Sequence, residues 1–516
     1  MPKFSKVKSA SVLGINAYIV DVECNLATGK IPRYVTVGLP EGAVKESKER
    51  VLTAIRNTGY KYPGNKIVVN LAPADIKKEG SAFDLPIAVG ILAAAGYVDR
   101  DKLSDYVILG ELSLDGRCRK IKGIISIAIS IKNSDIKGII LSDENAREAA
   151  IVEDLDVIPV TSLNEAVDFL NNQLQPEPVK IDQQKLFQQS SLYKSDFSEV
   201  KGQENVKRSM EVAAAGAHNA LMIGPPGSGK TMLARRIPTV LPRLSRDEAL
   251  ETTKIHSVSG NLNPKRGIIA TRPFRSPHHT ISDAALIGGG RIPKPGEVSL
   301  SHNGVLFLDE LPEFKKNVLE VMRQPLEDGE VTISRAKSTL SYPATFMLIA
   351  AMNPCPCGYA TDPNNSCTCT TSQIQRYISK ISGPLLDRID IHIEVPAVDF
   401  SELSSKKPGE KSCNIRSRIE KAREIQQKRF QNEKGIYANA HMDNRLIKNN
   451  CKISDSGERL LKTALEKLGL SARAYNKILK VSRTIADLSG QEKIGNQHLS
   501  EAIQYRSLDR KLWLYE

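Results

Sequence analysis

The chain has 516 residues, 41% of them hydrophobic, which is enough for three or four domains with ordinary cores and argues against a largely disordered polypeptide. Four of its eight cysteines (Cys24, Cys118, Cys413, Cys451) are scattered, unlike a secreted disulfide framework, and no apolar run approaches the ~20 residues that a bilayer requires. The formal net charge of +13 leaves two readings open, a polyanionic partner such as nucleic acid or a solvated basic surface.

The opening MPKFSKVKSASVLG has no apolar core of the signal-peptide kind, so a cytoplasmic protein with reduced thiols and no membrane partner is expected. From 1 to 171, short stretches rich in Val, Ile and Tyr (AYIVDVEC, RYVTVGL, KIVVNLA, YVILGEL, KGIIL) predict strands. Between them GAVKESKERVLTAIRNTG and LPIAVGILAAAG predict helices, and DVIPVTSLNEAVDFLNNQ predicts strand, capped turn and helix, giving an α/β domain. The Gln-, Ser- and Pro-rich stretch 172–197 has linker composition. A second α/β region is expected over 198–396, a second polar linker over 397–412, and a helical domain over 413–516. Residues 401–450 hold twelve Lys/Arg against six Asp/Glu, which suits non-specific DNA affinity and a solvated helix face equally well.

The motif GPPGSGKT at 224–231 follows an apolar strand and opens a helix. Gly224, Pro225, Pro226, Gly227, Ser228 and Gly229 make a loop whose backbone N–H groups can surround phosphate oxygens. Lys230 is placed to reach the β- and γ-phosphates of ATP, and Thr231 offers a hydroxyl to Mg²⁺. VLFLDE, at 305–310, predicts a buried parallel strand with its acids at the ligand end. There Asp309 would hold Mg²⁺ and Glu310 would orient and deprotonate the attacking water. TFMLIAAMNP predicts a third strand ending in Asn353, a polar group for the γ-phosphate or the water.

Loop, acidic strand and polar strand end, in that order, resemble the AAA+ ATPases. By that resemblance PLLDRID makes Arg388 an arginine finger for a neighbouring subunit's ATP, and SARAYNKILKVSR makes Arg473 a sensor reaching the γ-phosphate from a helical lid. FRSPHHTISDAALIGGGRIPKPGEVSLSHNGVLFLDELPEF is similar to the magnesium-chelatase-like branch. GGGRIPKPGEVSL is then a pore-facing loop, and EVTISRAKSTLSYPATF a hairpin with Arg335 and Lys337 near its tip, candidates for contact with DNA phosphates. His278 and His279 are read as structural or subunit-contact residues.

KKEGSAFDLPIAVG and ELSLDGRCRKIKGI resemble the two catalytic segments of Lon-type proteases, a fold of the ribosomal S5 domain 2-like kind, with Ser81 and Lys122 in the dyad positions. Here Gly80-Ser81-Ala82-Phe83-Asp84 replaces the Gly-Pro-Ser-Ala-Gly of that family, so ring assembly or DNA contact is expected in place of proteolysis. Taken together the chain resembles the ComM/YifB family. The resemblance implies a homo-hexameric ATP-dependent DNA helicase acting in branch migration, when incoming DNA recombines during natural transformation. A magnesium-chelatase-like remodelling subunit and an ATP-dependent Lon-like protease are the alternatives.

Cys355, Cys357, Cys367 and Cys369 lie in CPCGYATDPNNSCTC, two C-x-C arms around a turning loop. The pattern suits a structural Zn²⁺ held by four thiolates, although C-x₂-C is the commoner arm. Redox pairing and no site at all are the other readings.

Overall fold

The computed structural model describes residues 3–27, 33–40, 42–61, 66–74, 78, 80–132, 134–181, 193, 195–262, 267–290, 293–335, 338–362, 365–397, 409–433, 435–469, 471–506 and 508. Most of the two expected linkers (182–192 and 398–408), Arg291 and Ile292 of the expected pore loop, and Lys337 lie outside the described residues. The chain divides into two compact units, Met1–Ser190 with Ala249–Ala270, and Ser191–Glu248 with Thr271–Glu516. The stretch expected as one domain over 198–396 is therefore interrupted, because 249–270 packs with the first unit. One such contact joins the hydroxyl of Ser257 to the carboxylate of Glu148.

The first unit is built on a seven-stranded sheet. Its strands are β1 (Phe4–Leu13), β2 (Asn16–Ala27), β3 (Tyr34–Val37), β4 (Lys66–Ala72), β5 (Tyr106–Ile108), β6 (Gly138–Ser142) and β7 (Asp156–Val160), ordered β3-β4-β2-β1-β5-β6-β7. β1 and β2 form an antiparallel hairpin, β2 pairs antiparallel with β4, and every other pairing in this sheet is parallel. Helices α1 (Ala43–Asn57), α2 (Asp84–Ala95), α3 (Ile124–Lys132), α4 (Asp143–Ala149) and α5 (Leu163–Leu170) accompany it. α2 is apolar on all sides and almost wholly buried, as such a pattern demands. Ser162 caps α5, its side chain accepting from the Glu165 N–H.

The second unit carries a five-stranded, all-parallel sheet of β8 (Ala220–Ile223), β9 (Phe274–Arg275), β10 (Val305–Leu308), β13 (Met347–Met352) and β14 (Ile391–Glu394). Its order is β9-β10-β13-β8-β14. Every residue of β8, β10 and β13 is buried, which is why these segments read as unbroken apolar runs. Between β10 and β13 an antiparallel hairpin, β11 (Glu330–Arg335) with β12 (Ser338–Pro343), stands apart from the main sheet.

Helices α6 (Glu204–Gly216), α7 (Lys230–Val240) and α8 (Thr371–Ile378) belong to the same unit. So do the C-terminal helices α9 (Ser412–Arg429), α10 (Asn444–Asn450), α11 (Asp455–Leu468), α12 (Ala472–Leu488) and α13 (Asn496–Gln504). One apolar core joins this sheet to the C-terminal helices, with Met222, Phe307 and Ile349 in the same cluster as Ile419, Ile478 and Ile485. Among the described residues no helix is long and apolar enough to cross a membrane.

Candidate nucleotide site and four-cysteine loop

β8 ends at Ile223 and the chain turns through 224–229 into α7. Gly227 (φ 77°) and Gly229 (φ 88°) take left-handed conformations that disfavour any side chain, which lets the loop turn tightly. The Lys230 ammonium donates to the carbonyls of Gly224 (2.7 Å) and Pro225 (2.8 Å) and to Asn353 Oδ1 (3.3 Å). Burial pushes the lysine below its ordinary pKa, against the opposing pull of the Asp309 carboxylate. Thr231 Oγ1 donates to Asp309 Oδ2 over 2.7 Å, so hydroxyl and carboxylate converge as a divalent cation beside a phosphate requires.

The acids follow β10 at the ligand end of the sheet. Glu310 sits at φ 53°, a strained setting for a residue with a side chain, with its N–H donating to Asp309 Oδ1 over 3.0 Å. Its carboxylate is 58% exposed and pairs with His279 Nδ1 at 3.1 Å. The His279 ring packs at a tilt of 34° against His278, with centroids 4.1 Å apart, and meets Phe314 edge-on. Sequence reasoning placed the two histidines at a structural or subunit contact, and the structure adds a direct partner in the site for one of them. The available signal was the pair FRSPHH, directly after the strand β9 that flanks β10.

Lys230, Thr231, Asp309, Glu310 and Asn353 are thus brought together within one unit. The two arginines stand differently. Arg388 is drawn inward, its side chain 12% exposed, and its guanidinium pairs with Glu327 and donates to the Pro384 carbonyl. Arg473, at the start of α12, is exposed and binds Asp387 at 3.0 Å. Below them a buried polar knot fastens α12 to the sheet. His218 contacts Asp390 at 2.9 Å and Thr484 at 2.8 Å, and Lys477 pairs with the same Asp390. The hairpin places Arg335 opposite Ser338 at the last pair of its ladder.

In the first unit the Ser81 hydroxyl donates to the Glu111 carboxylate, and no hydrogen bond between Ser81 and Lys122 is present among the described residues. Lys122 is exposed and its chain end lies against Gly260. Buried Asp84, three residues after Ser81, pairs with Arg50 at 2.8 Å and accepts from the Leu112 N–H.

The four thiols of the CPCG loop form a cluster. Sγ atoms of Cys355 and Cys357 are 3.3 Å apart, of Cys355 and Cys367 3.7 Å, and of Cys357 and Cys367 3.5 Å. These three and Cys369 all lie within 4.8 Å of one another. A tetrahedron with metal–sulfur bonds of about 2.3 Å has edges of about 3.8 Å, so this donor set matches zinc in both size and chemistry. Burial pushes the Cys355 thiol up to about 12, whereas backbone N–H groups of Tyr359 and Thr368 bring Cys357 down to about 5.

These features can be set beside known proteins. Three family models match: magnesium chelatase, subunit ChlI, over 196–403; the subunit ChlI of Mg-chelatase over 22–145; and the subunit's C-terminal part over 409–506. Competence protein ComM of Haemophilus influenzae is 45% identical, with 98% of both chains covered. The chain belongs to the ComM/YifB family. YifB of Escherichia coli, described as uncharacterized, is 44% identical over 98% of each chain. The magnesium-chelatase 38 kDa subunit of Rhodobacter capsulatus is 23% identical over 31% of this chain and 50% of its own. The region 196–403 is therefore of the magnesium-chelatase type, a mixed α/β, AAA+-like domain.

Proposed function

We propose that the protein is an ATP-hydrolysing, hexameric DNA motor that drives branch migration when incoming DNA recombines in the cytoplasm. The observation that carries the ATPase part is the convergence of Lys230, Thr231, Asp309 and Asn353 at the C-terminal edge of the parallel sheet. In this reading the cradle of 224–229 and Lys230 bind the phosphates, Thr231 and Asp309 hold Mg²⁺, and Glu310 activates the water while Asn353 positions it. Arg388 from the neighbouring subunit and Arg473 from the lid stabilise charge on the transferred group. Within one protomer Glu327 engages Arg388, so the finger role requires that pair to open at a subunit interface.

The DNA part is supported by the name of the Haemophilus relative, a competence protein, together with the net charge of +13. Arg335, at the last pair of the hairpin ladder, and Lys337, two positions on in the sequence, are the proposed phosphate contacts. The four cysteines are proposed to hold a structural Zn²⁺ as thiolates.

Purified protein, ATP and a synthetic three- or four-way DNA junction provide the test. ATP-dependent strand exchange that disappears in Glu310→Gln is expected, and its absence with an active ATPase overturns the branch-migration reading. A second reading, a remodelling subunit of a metal chelatase, is favoured by the family models matching all three parts of the chain. It predicts ATPase activity indifferent to DNA.

A further inference from the structure

The four-cysteine loop touches the nucleotide cradle at two places. It begins directly after Asn353, whose side chain accepts from Lys230, and its first cysteine, Cys355, is fully buried. The turn that follows puts Gly358 at φ 90°, its N–H donating to the Cys355 carbonyl over 3.0 Å. There the backbone seats directly on the ring of Pro226, within the phosphate loop. A Cβ added at Gly358 would lie 2.6 Å from Pro226 Cδ and 2.7 Å from Cγ. The second arm, Cys367 and Cys369, runs into α8, which Thr370 and Gln373 cap reciprocally. That helix returns Tyr377 to the neighbourhood of the Asn353 backbone, at the start of the loop.

The first arm therefore starts at Asn353, the second leads into the helix that brings Tyr377 near it, and the turn at Gly358 rests on Pro226. Among the described residues the two arms meet through the sulfurs and the backbone N–H groups around them: Cys369 Sγ receives the Cys357 N–H at 3.4 Å, the Thr368 N–H faces Cys357, and Cys367 and Cys369 themselves are exposed or half-buried. An excursion this short cannot build a core of its own, so a metal bound to all four sulfurs would be what fixes its shape.

We propose that the metal-clamped loop is a wedge that sets the phosphate cradle, so that zinc occupancy controls ATP affinity and turnover. The inference rests on the zinc reading of the cysteines given above. Clamped, the loop holds Pro226 and Asn353 at the spacing at which the cradle N–H groups and Lys230 face the phosphates. Released, it leaves both supports free to shift, and a displacement of about 1 Å at such a site costs on the order of 10-fold to 100-fold in catalysis.

The experiment uses the full-length protein, with zinc measured by mass spectrometry and affinity by titration with a fluorescent ATP analogue. Gly358→Ala keeps all four cysteines but forces the loop off Pro226. It is expected to retain one zinc per chain while losing about 10-fold or more in nucleotide affinity or kcat. Stripping zinc from the unsubstituted protein with a chelator reads the same coupling without a substitution. The same loss is expected, with recovery when zinc alone is added back. If zinc is present, and both its removal and Gly358→Ala leave affinity and turnover within twofold, the wedge is refuted and the zinc site stands. If the protein neither purifies with zinc nor takes it up, the zinc reading fails and the wedge with it.

Discussion

His279 Nδ1 lies 3.1 Å from Glu310 Oε2, joining the segment after β9 to the acid at the end of β10. The histidine in turn packs against the tilted ring of His278 and edge-on with Phe314. Glu310 thus holds a strained backbone conformation while its exposed carboxylate is tethered from outside its own strand.

If Glu310 activates the water, two substitutions should separate its own role from that of its tether. Glu310→Gln is expected to bind ATP normally and to lose about 10²-fold to 10⁴-fold in kcat, because the general base is gone. His279→Ala leaves the base in place but unpositioned, so a smaller loss, about 10-fold to 100-fold and confined to kcat, is expected. Steady-state hydrolysis alongside equilibrium nucleotide binding checks both. A His279→Ala protein with unchanged kcat would remove the tether from the mechanism.

The pairing of Arg388 with Glu327 gives the shared-site model a sharp consequence. Arg388→Ala is expected to lower hydrolysis by about 10³-fold or more. Mixing inactive Arg388→Ala subunits with inactive Glu310→Gln subunits should restore part of the activity, since some interfaces then combine an intact Glu310 with an intact Arg388. Glu327→Gln, which frees the guanidinium, should leave hydrolysis intact or raised. Mixtures that stay inactive while still forming rings argue for a site completed within one chain.

How much of this was legible beforehand depended on range in sequence. The phosphate loop and the strands ending in Asp309 and Asn353 were readable because each is a local pattern, an apolar run closed by a polar residue, and a parallel sheet fully buried on both faces produces that pattern. The cap at Ser162 and helix α5 were readable for the same reason. His279 with Glu310, and Arg388 with Glu327, are separated by 31 and 61 residues, and only the folded topology brings them together. The Ser81 hydroxyl shows the converse. A local motif pointed toward Lys122, but the carboxylate of Glu111, at the start of a short strand, takes the hydrogen bond. Nothing periodic marks 249–270 as part of the first unit, since membership there is decided by contacts such as Ser257 with Glu148.

Acid should weaken the second unit through His218. The ring is fully buried, with Asp390 on one nitrogen and Thr484 on the other, and burial holds its pKa below the ordinary histidine value despite the favourable carboxylate. The unfolded chain, with a histidine near 6.5, therefore binds more protons than the folded one just below that pH. Stability is full above about pH 6.5 and falls as the pH drops toward the folded value, with a slope of up to about 1.4 kcal/mol per pH unit. Asp390, held well below the carboxylate range with Lys477 and His218 as the opposing partners of its burial, adds a second loss only below about pH 4. Thermal melting between pH 7.5 and 5.5 should show the decline, and His218→Gln, which keeps hydrogen-bonding capacity without the proton, should make it shallower, leaving the share of His441 and His498, which burial also holds below the ordinary histidine value.

The hairpin makes the DNA reading quantitative. Arg335 closes the β11–β12 ladder and Lys337 follows two positions later in the sequence, and two cations that both contact DNA would neutralise about two phosphates. Each phosphate contact contributes roughly 0.7 to 0.9 to the slope of log affinity against log salt. Arg335→Ala combined with Lys337→Ala is then expected to reduce that slope by about 1.5 and to weaken DNA-stimulated hydrolysis. Basal hydrolysis without DNA should be unchanged, because neither residue belongs to the nucleotide cradle. Fluorescence anisotropy with a labelled oligonucleotide, over a salt series, measures the slope directly. An unaltered slope in the double variant would move the DNA contact away from the hairpin, and the basic stretch 401–450 would become the next surface to substitute.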